Sequence, residues 1–202
     1  TEVELVLVNG ESVRFDRRLF EDDRVAVYPR FEALDITPLL RLREHPLRQT
    51  HFVADAHLGG LARLLRMAGF DTLYDNHYQD SEIVAIAMHE GRIVLTRDRE
   101  LLKRREITHG CYVHALKPAM QLQEIVRRLD LARSAQPFTR CMSCNAPLHV
   151  LDRALALPRV PPAVRLLHTH FSTCEGCHRV YWEGSHWRRM RQLLQQALSP
   201  PG

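Results

Sequence analysis

Residues 52–98 read FVADAHLGGLARLLRMAGFDTLYDNHYQDSEIVAIAMHEGRIVLTRD, and this stretch decides the fold. Three short apolar runs, Phe52-Val53-Ala54, Thr72-Leu73-Tyr74 and Ile93-Val94-Leu95, each give way to polar residues that end a buried strand. Between the first two, apolar residues fall at 58, 61, 64, 65 and 68, the 3.6-residue period of a helix, stopped by Gly69. Between the second and third, Asp80-Ser81 reads as the cap of a helix with apolar positions at 83, 84, 86, 87 and 88, closed by Gly91. A short helix over 99–105, a fourth strand over 111–115 and an amphipathic helix over 119–132 continue the alternation. Strands alternating with helices mean a parallel sheet covered on both faces, an α/β fold.

Working outward, residues 1–47 form a first segment, 48–135 the α/β domain and 136–202 a third. In the first, Val3, Leu5 and Leu7 alternate with polar residues before Asn9-Gly10, and Val13 and Phe15 follow. Asn-Gly between alternating apolar runs predicts a hairpin, because both turn residues tolerate positive φ. Another short strand, 24–28, is stopped by Pro29. In the third segment, Cys141-Met142-Ser143-Cys144 and Cys174-Glu175-Gly176-Cys177 bracket a stretch interrupted by Pro158 and Pro161-Pro162, which reads as a loop insertion. An Arg-rich helix over 186–198 closes the chain.

Composition bounds the function classes. Apolar residues at 45% and charged residues at 26% are ordinary globular usage, and no apolar run approaches the roughly 20 residues that span a bilayer. No basic n-region opens a signal peptide, and four of five cysteines form CxxC pairs rather than a disulfide ladder, so the expected compartment is the cytoplasm. Of 28 basic residues only Lys103 and Lys117 are lysines; the rest are arginines, whose guanidinium forks bind phosphate bidentately. Charge is uneven: residues 1–50 carry net −2, 51–118 net zero and 119–202 net +6. A basic C-terminal third is the footprint of a nucleic-acid partner.

Two constellations carry chemistry. Asp55 and Asp98 follow the first and third strands, and Asp80 opens the helix that feeds the third. In open α/β sheets ligands bind beyond the carboxyl ends of the strands, so these carboxylates fall on the active edge. Three together stay ionised around a divalent cation, and hard oxygen donors suit Mg²⁺ or Mn²⁺, which activate water in phosphodiester cleavage. Each also has a bland role open to it: Asp80 and Asp98 as helix caps, Asp55 as a turn residue. Arg63 and Arg66, three apart on the first helix, are candidate phosphate contacts, as is Arg97. The four cysteines Cys141, Cys144, Cys174 and Cys177 have the spacing of a structural Zn²⁺ site. Beyond them Trp182 and Trp187 suit packing, whereas Arg188, Arg189 and Arg191 suit RNA contact. No Walker-type Gly-Lys-Ser/Thr exists.

A family resemblance sharpens this reading. FVADAHLGGLARLLRMAGFDTLY (52–74) and DSEIVAIAMHEGRIVLTRDREL (80–101) resemble the PIN-like ribonuclease domain of the Mut-seven C-terminal family. CMSCNAPL (141–148) and CEGCHRVYWEGSHWRRM (174–190) resemble the zinc-ribbon end of that family. VNGESV (8–13) and LFEDDRVAVYPRF (19–31) resemble the latter half of a ubiquitin-like β-grasp domain of the sulfur-carrier type, a piece also found fused to such nucleases. The first hairpin and helix of that fold are missing, which suggests a trimmed or disordered N-terminus, and Thr1 in place of Met suggests a fragment or a trimmed chain. The resemblance implies that Asp55, Asp80 and Asp98 are PIN-type acidic positions. PIN nucleases often add a Glu on an early helix; the 58–68 helix has none, leaving Asp75 or Glu82 to supply it. The expectation is a metal-dependent endoribonuclease acting on RNA, such as tRNA or ribosomal RNA within the ribosome. The alternative is a non-catalytic RNA- or ribosome-binding regulatory factor that keeps the fold.

Overall fold

A computed structural model describes residues 3–29 and 50–199. Two compact units divide the chain, the second beginning at Thr50. The first holds β1 (Val3–Val8), β2 (Glu11–Ser12) and β3 (Val25–Pro29), an antiparallel sheet in the order β2-β1-β3. Asn9 and Gly10 join β1 to β2 with φ of 53° and 88°, the paired left-handed geometry of a tight hairpin turn. The Asn9 side chain also accepts from the Arg24 backbone N–H at 2.9 Å and donates to Asp23 at 2.7 Å, which fixes β3 beside the turn. The rest of the expected first segment, residues 30–47, lies outside the described residues.

The second unit opens with β4 (Phe52–Ala54), a 3-10 turn at Ala56–Leu58 and α1 (Gly59–Met67). Then come β5 (Thr72–Tyr74), α2 (Asp80–Glu90), β6 (Ile93–Thr96), α3 (Arg99–Leu102), β7 (Gly110–Tyr112) and α4 (Pro118–Arg128). The four strands form a parallel sheet in the order β5-β4-β6-β7. The chain therefore steps from β4 to one side, then crosses back to β6 on the other. Right-handed crossovers in opposite directions place α1 and α2 on opposite faces and open a crevice where β4 and β6 end. Val53 and Val94 pack with Ile83, Val84, Ala87 and Leu101 on one face. Their alternates Phe52, Ala54 and Leu95 are fully buried as well, so both faces are covered. Each fully buried leucine, such as Leu61 or Leu65, contributes roughly 1.5–3 kcal/mol of apolar burial.

Several boundaries differ from the sequence expectation, each for a local reason. Helix α2 is capped by Gln79, not by Asp80-Ser81: Glu82 returns its carboxylate to the Gln79 N–H at 2.8 Å in a reciprocal capping box. Helix α3 ends at Leu102 because Lys103 and Arg104 turn into tighter bonds, to Glu100 and Leu101. Strand β7 ends at Tyr112 because the N–H groups of His114 and Ala115 donate to the Glu124 carboxylate at 2.9–3.1 Å. Helix α4 stops at Arg128, short of 132, because Asp130 turns left-handed at φ 47° and the Leu131 N–H closes back onto the Val126 carbonyl at 3.0 Å.

The C-terminal part of this unit is a second, antiparallel sheet: β8 (Leu148–Leu151), β9 (Phe171–Cys174) and β10 (Val180–Trp182), in the order β10-β9-β8. The expected loop between β8 and β9 instead contains α5 (Arg153–Ala156) and α6 (Pro162–Leu167). Asp152 caps α5 by accepting from Ala154 N–H at 2.7 Å, and Pro162 starts α6 with its φ already set. These turns close over Ala156, Val160 and Phe171, with Trp182 against them. Helix α7 (Ser185–Leu198) follows and buries Leu194 and Ala197.

Candidate functional site

The acidic strand end is built around one hydroxyl. Thr96, the last residue of β6, is fully buried; its Oγ1 donates to Asp55 Oδ2 at 2.7 Å and accepts the Asp98 N–H at 2.9 Å. Asp55 is 8% exposed, and its own N–H donates to the Leu95 carbonyl, extending the β4–β6 ladder one step past the strand. Asp98 Oδ1 accepts from Glu100 N–H at 2.7 Å and caps α3, leaving its other oxygen free of any described bond. Asp80 is the first residue of α2 and lies 3.7 Å from Arg104. Among the described residues, the cysteines are the one group of three or more potential ligands gathered closely enough to hold a metal ion, their ligand atoms all within 4.8 Å; the three aspartates do not form such a group.

The other acidic candidates have local partners. Asp75 accepts from His77 N–H at 2.9 Å in a turn, and Glu82 serves the α2 cap. Arg97, Arg188 and Arg189 are exposed, and Arg191 lies over the Trp187 ring at 5.3 Å. Trp187 in turn packs on Phe138, with ring centroids 5.0 Å apart. Arg66 departs from its expected role. It is 5% exposed, and its guanidinium donates to the carbonyls of Thr72 and Ser143 at 2.8 Å each, so it ties α1 to β5 and to the first cysteine turn.

That tie belongs to a larger joint. Asp71 accepts from Arg92 at 2.6 Å and Asn145 at 2.8 Å and pairs with Arg140 at 3.2 Å. Asn145, held at φ 72° by the cysteine turn, also accepts the Thr72 N–H at 3.0 Å. Burial opposes the Asp71 charge, but Arg92 and Asn145 outweigh it and hold its pKa below the usual carboxylate value. The cysteine module is thereby bonded to the outer strand of the parallel sheet.

The four cysteine sulfurs all lie within 4.8 Å of one another, with Cys141–Cys177 at 3.5 Å and Cys144–Cys174 at 3.3 Å. Those distances exclude a disulfide, which needs about 2.05 Å, and approach the edge of roughly 3.8 Å that a tetrahedron of 2.3 Å Zn–S bonds requires. Burial opposes a thiolate at Cys141, yet bonds from Tyr181 (3.1 Å) and the Cys144 and Ser143 backbone lower its pKa to about 6. Cys144 is pushed up to about 12 by burial and by sharing bonds with the other sulfurs. A cluster that resists holding several negative charges unaided is the donor set a Zn²⁺ ion stabilises.

Thr96, Asp71, Arg92 and Asn145 carry no sequence signal of their own beyond their places beside strands and glycines. Thr96 comes nearest to one, as the first residue of the Thr96-Arg97-Asp98 run.

Comparison with known proteins gives two family matches. Residues 50–194 match the Mut7-C RNAse domain, and residues 1–35 match the Mut7-C ubiquitin domain. The human protein named exonuclease mut-7 homolog is 32% identical over 106 residues, covering 50% of this chain and 12% of that protein. The chain thus spans about an eighth of that relative's length. No solved structure matches the chain.

Proposed function

The chain belongs to the Mut7-C RNAse domain family, and on that premise we propose that it is a metal-dependent endoribonuclease cleaving RNA at the acidic strand end. The observation that supports this most is the Thr96 hydroxyl, which holds Asp55 and the Asp98 backbone together at the switch point of the sheet. Asp55, Asp98 and Asp80 are the residues that would hold Mg²⁺ or Mn²⁺. Such ions keep several waters and take as few as one or two carboxylates directly, which Asp55 and Asp98, tied to each other through Thr96, are placed to supply. When bound, the ion supplies an activated water and neutralises charge developing on the phosphodiester.

The chain's own residues do the rest. Thr96 orients Asp55, and the α3 cap fixes Asp98. Arg97, exposed beside Asp98 and with no described partner, is assigned to a substrate phosphate, as are Arg188, Arg189 and Arg191 on α7. The cysteine module, once it holds zinc, would position α7 for RNA such as tRNA or ribosomal RNA, and CxxC pairs in place of a disulfide ladder support a cytoplasmic setting. Among the described residues no helix is long and apolar enough to cross a membrane.

A second reading, a non-catalytic RNA- or ribosome-binding factor, draws on the capping and turn bonds that already occupy Asp98, Glu82 and Asp75. Asp98→Asn separates the two. Asn caps helices as well as Asp, so α3 is kept while a ligand charge is removed. Mn²⁺-stimulated RNA cleavage should fall at least about 100-fold with RNA binding intact. Equal cleavage by variant and parent, freed of contaminating nuclease, sinks the enzyme reading.

A further inference from the structure

A cavity of about 420 Å³ lies between the sheet domain and the cysteine module, within the second unit. One wall is the face of α1 that carries Gly59, Arg63 and Arg66, spaced i, i+4 and i+7, with Tyr74 from the end of β5. The other is Ser143 from the first cysteine turn, Arg179 just after the second, and Tyr181 of β10. Three arginines and two tyrosines line it, and no carboxylate does. Arg66 is committed to backbone carbonyls, but Arg63 and Arg179 are exposed and make no ion pair among the described residues. Two such guanidinium groups on opposite walls of one cavity call for an anion.

Tyr74 links this wall to the acidic strand end. Tyr74 donates from its hydroxyl to the carbonyl of Ala56 at 3.0 Å, one residue from Asp55. Its ring lies against the start of α1, where a Cβ on Gly59 would come within 2.6 Å of it. The volume suits a single small ligand rather than a duplex. Single-stranded RNA is bound by this combination of cationic groups on its phosphates and aromatic faces under its bases.

We propose that this cavity holds one nucleotide of single-stranded RNA next to the cleavage point, with Arg63 and Arg179 on its backbone phosphates and a tyrosine ring under its base. The cysteine module then serves as the second wall of the substrate site. The proposal rests on the ribonuclease reading for its ligand class.

The test uses the full chain carrying Asp98→Asn, without added Mg²⁺ or Mn²⁺, and a fluorescein-labelled single-stranded oligoribonucleotide. Arg63→Gln with Arg179→Gln should weaken binding about tenfold or more and flatten the logarithmic salt slope by about 1.4, near 0.7 for each phosphate no longer neutralised. Arg63→Lys with Arg179→Lys should keep most of the slope, because the charge stays. Zinc content and melting temperature of the glutamine pair should equal the parent's, since both side chains are exposed. Unchanged affinity and slope in the glutamine pair overturns the proposal. So does displacement of the RNA by a poly-glutamate peptide at equal charge concentration, which would make the cavity an acidic-peptide site. Loss of binding in the glutamine pair, with no Mn²⁺-stimulated cleavage by the parent chain, would keep the cavity assignment and reject the ribonuclease. Intact cleavage with unchanged binding does the reverse.

Discussion

Single side chains in this protein fix where its elements end, and Glu124 is the most measurable case. Its carboxylate accepts from the N–H groups of His114 and Ala115 and meets the His114 ring at 2.8 Å, which ends β7 and anchors α4 beside it. Burial opposes its charge, but those hydrogen bonds prevail and lower its pKa from 4.5 to about 2. A depressed carboxylate contributes stability that is full above about pH 4.5 and is lost as pH falls through about 2. The contribution is at most on the order of 3 kcal/mol. Glu124→Gln should therefore lower urea-unfolding stability at pH 7 by about 1–3 kcal/mol, and the gap to the parent should narrow as pH falls from about 4.5 and close below about 2. A gap independent of pH would assign the effect to packing. Asp55 and Asp98 were legible in the sequence because apolar strand runs stop at them. Arg66 was not: its partner Ser143 lies 77 residues away, and helical spacing alone reads it as a surface cation.

The strands and helices of the parallel sheet were legible from periodicity, since alternating apolar runs and 3.6-residue stripes record the faces they bury. Caps and the β8–β9 connection were not. Gln79 is a poor cap by type and succeeds through Glu82, while Pro158 and Pro161-Pro162 read as a loop although Pro162 starts a helix. The turn after α1 shows how an element's end can serve a distant one. Gly69 has φ 95° and closes α1 through bonds from Gly69 and Phe70 to Arg66 and Leu65. A Cβ there would collide with the Gln136 carbonyl, where the chain arrives to join the cysteine module. Gly91 ends α2 at φ 64° with nothing within 4 Å of its Cβ position. Gly91→Ala should cost about 1 kcal/mol from backbone strain alone. Gly69→Ala should cost clearly more, about 2–4 kcal/mol, and shift the joint with the module. Thermal melts showing equal losses would mean that the Gln136 carbonyl yields freely.

At the scale of the molecule, a parallel sheet and a cysteine module form one compact unit; the strand-end aspartates lie in the sheet part, and the surplus of arginines lies in residues 119–202. The two CxxC pairs announced the module, but nothing in the spacing announced the Asp71–Arg92–Arg140–Asn145 joint that fastens it to the sheet. Purified protein should carry about one zinc per chain, and Cys174→Ser should lose it, because serine oxygen is a poor substitute for thiolate. Reduced protein with all four cysteines intact and no bound metal would contradict the assignment. The central claim, that the assembled unit cuts RNA internally through a divalent cation at the acidic strand end, is best tested on a circular single-stranded RNA, which has no ends to digest. With Mn²⁺ present the chain should linearise the circle, and Asp55→Asn or Asp98→Asn should abolish that cut while leaving RNA binding in place. An intact circle beside linear RNA that is shortened only from one end would contradict internal cleavage.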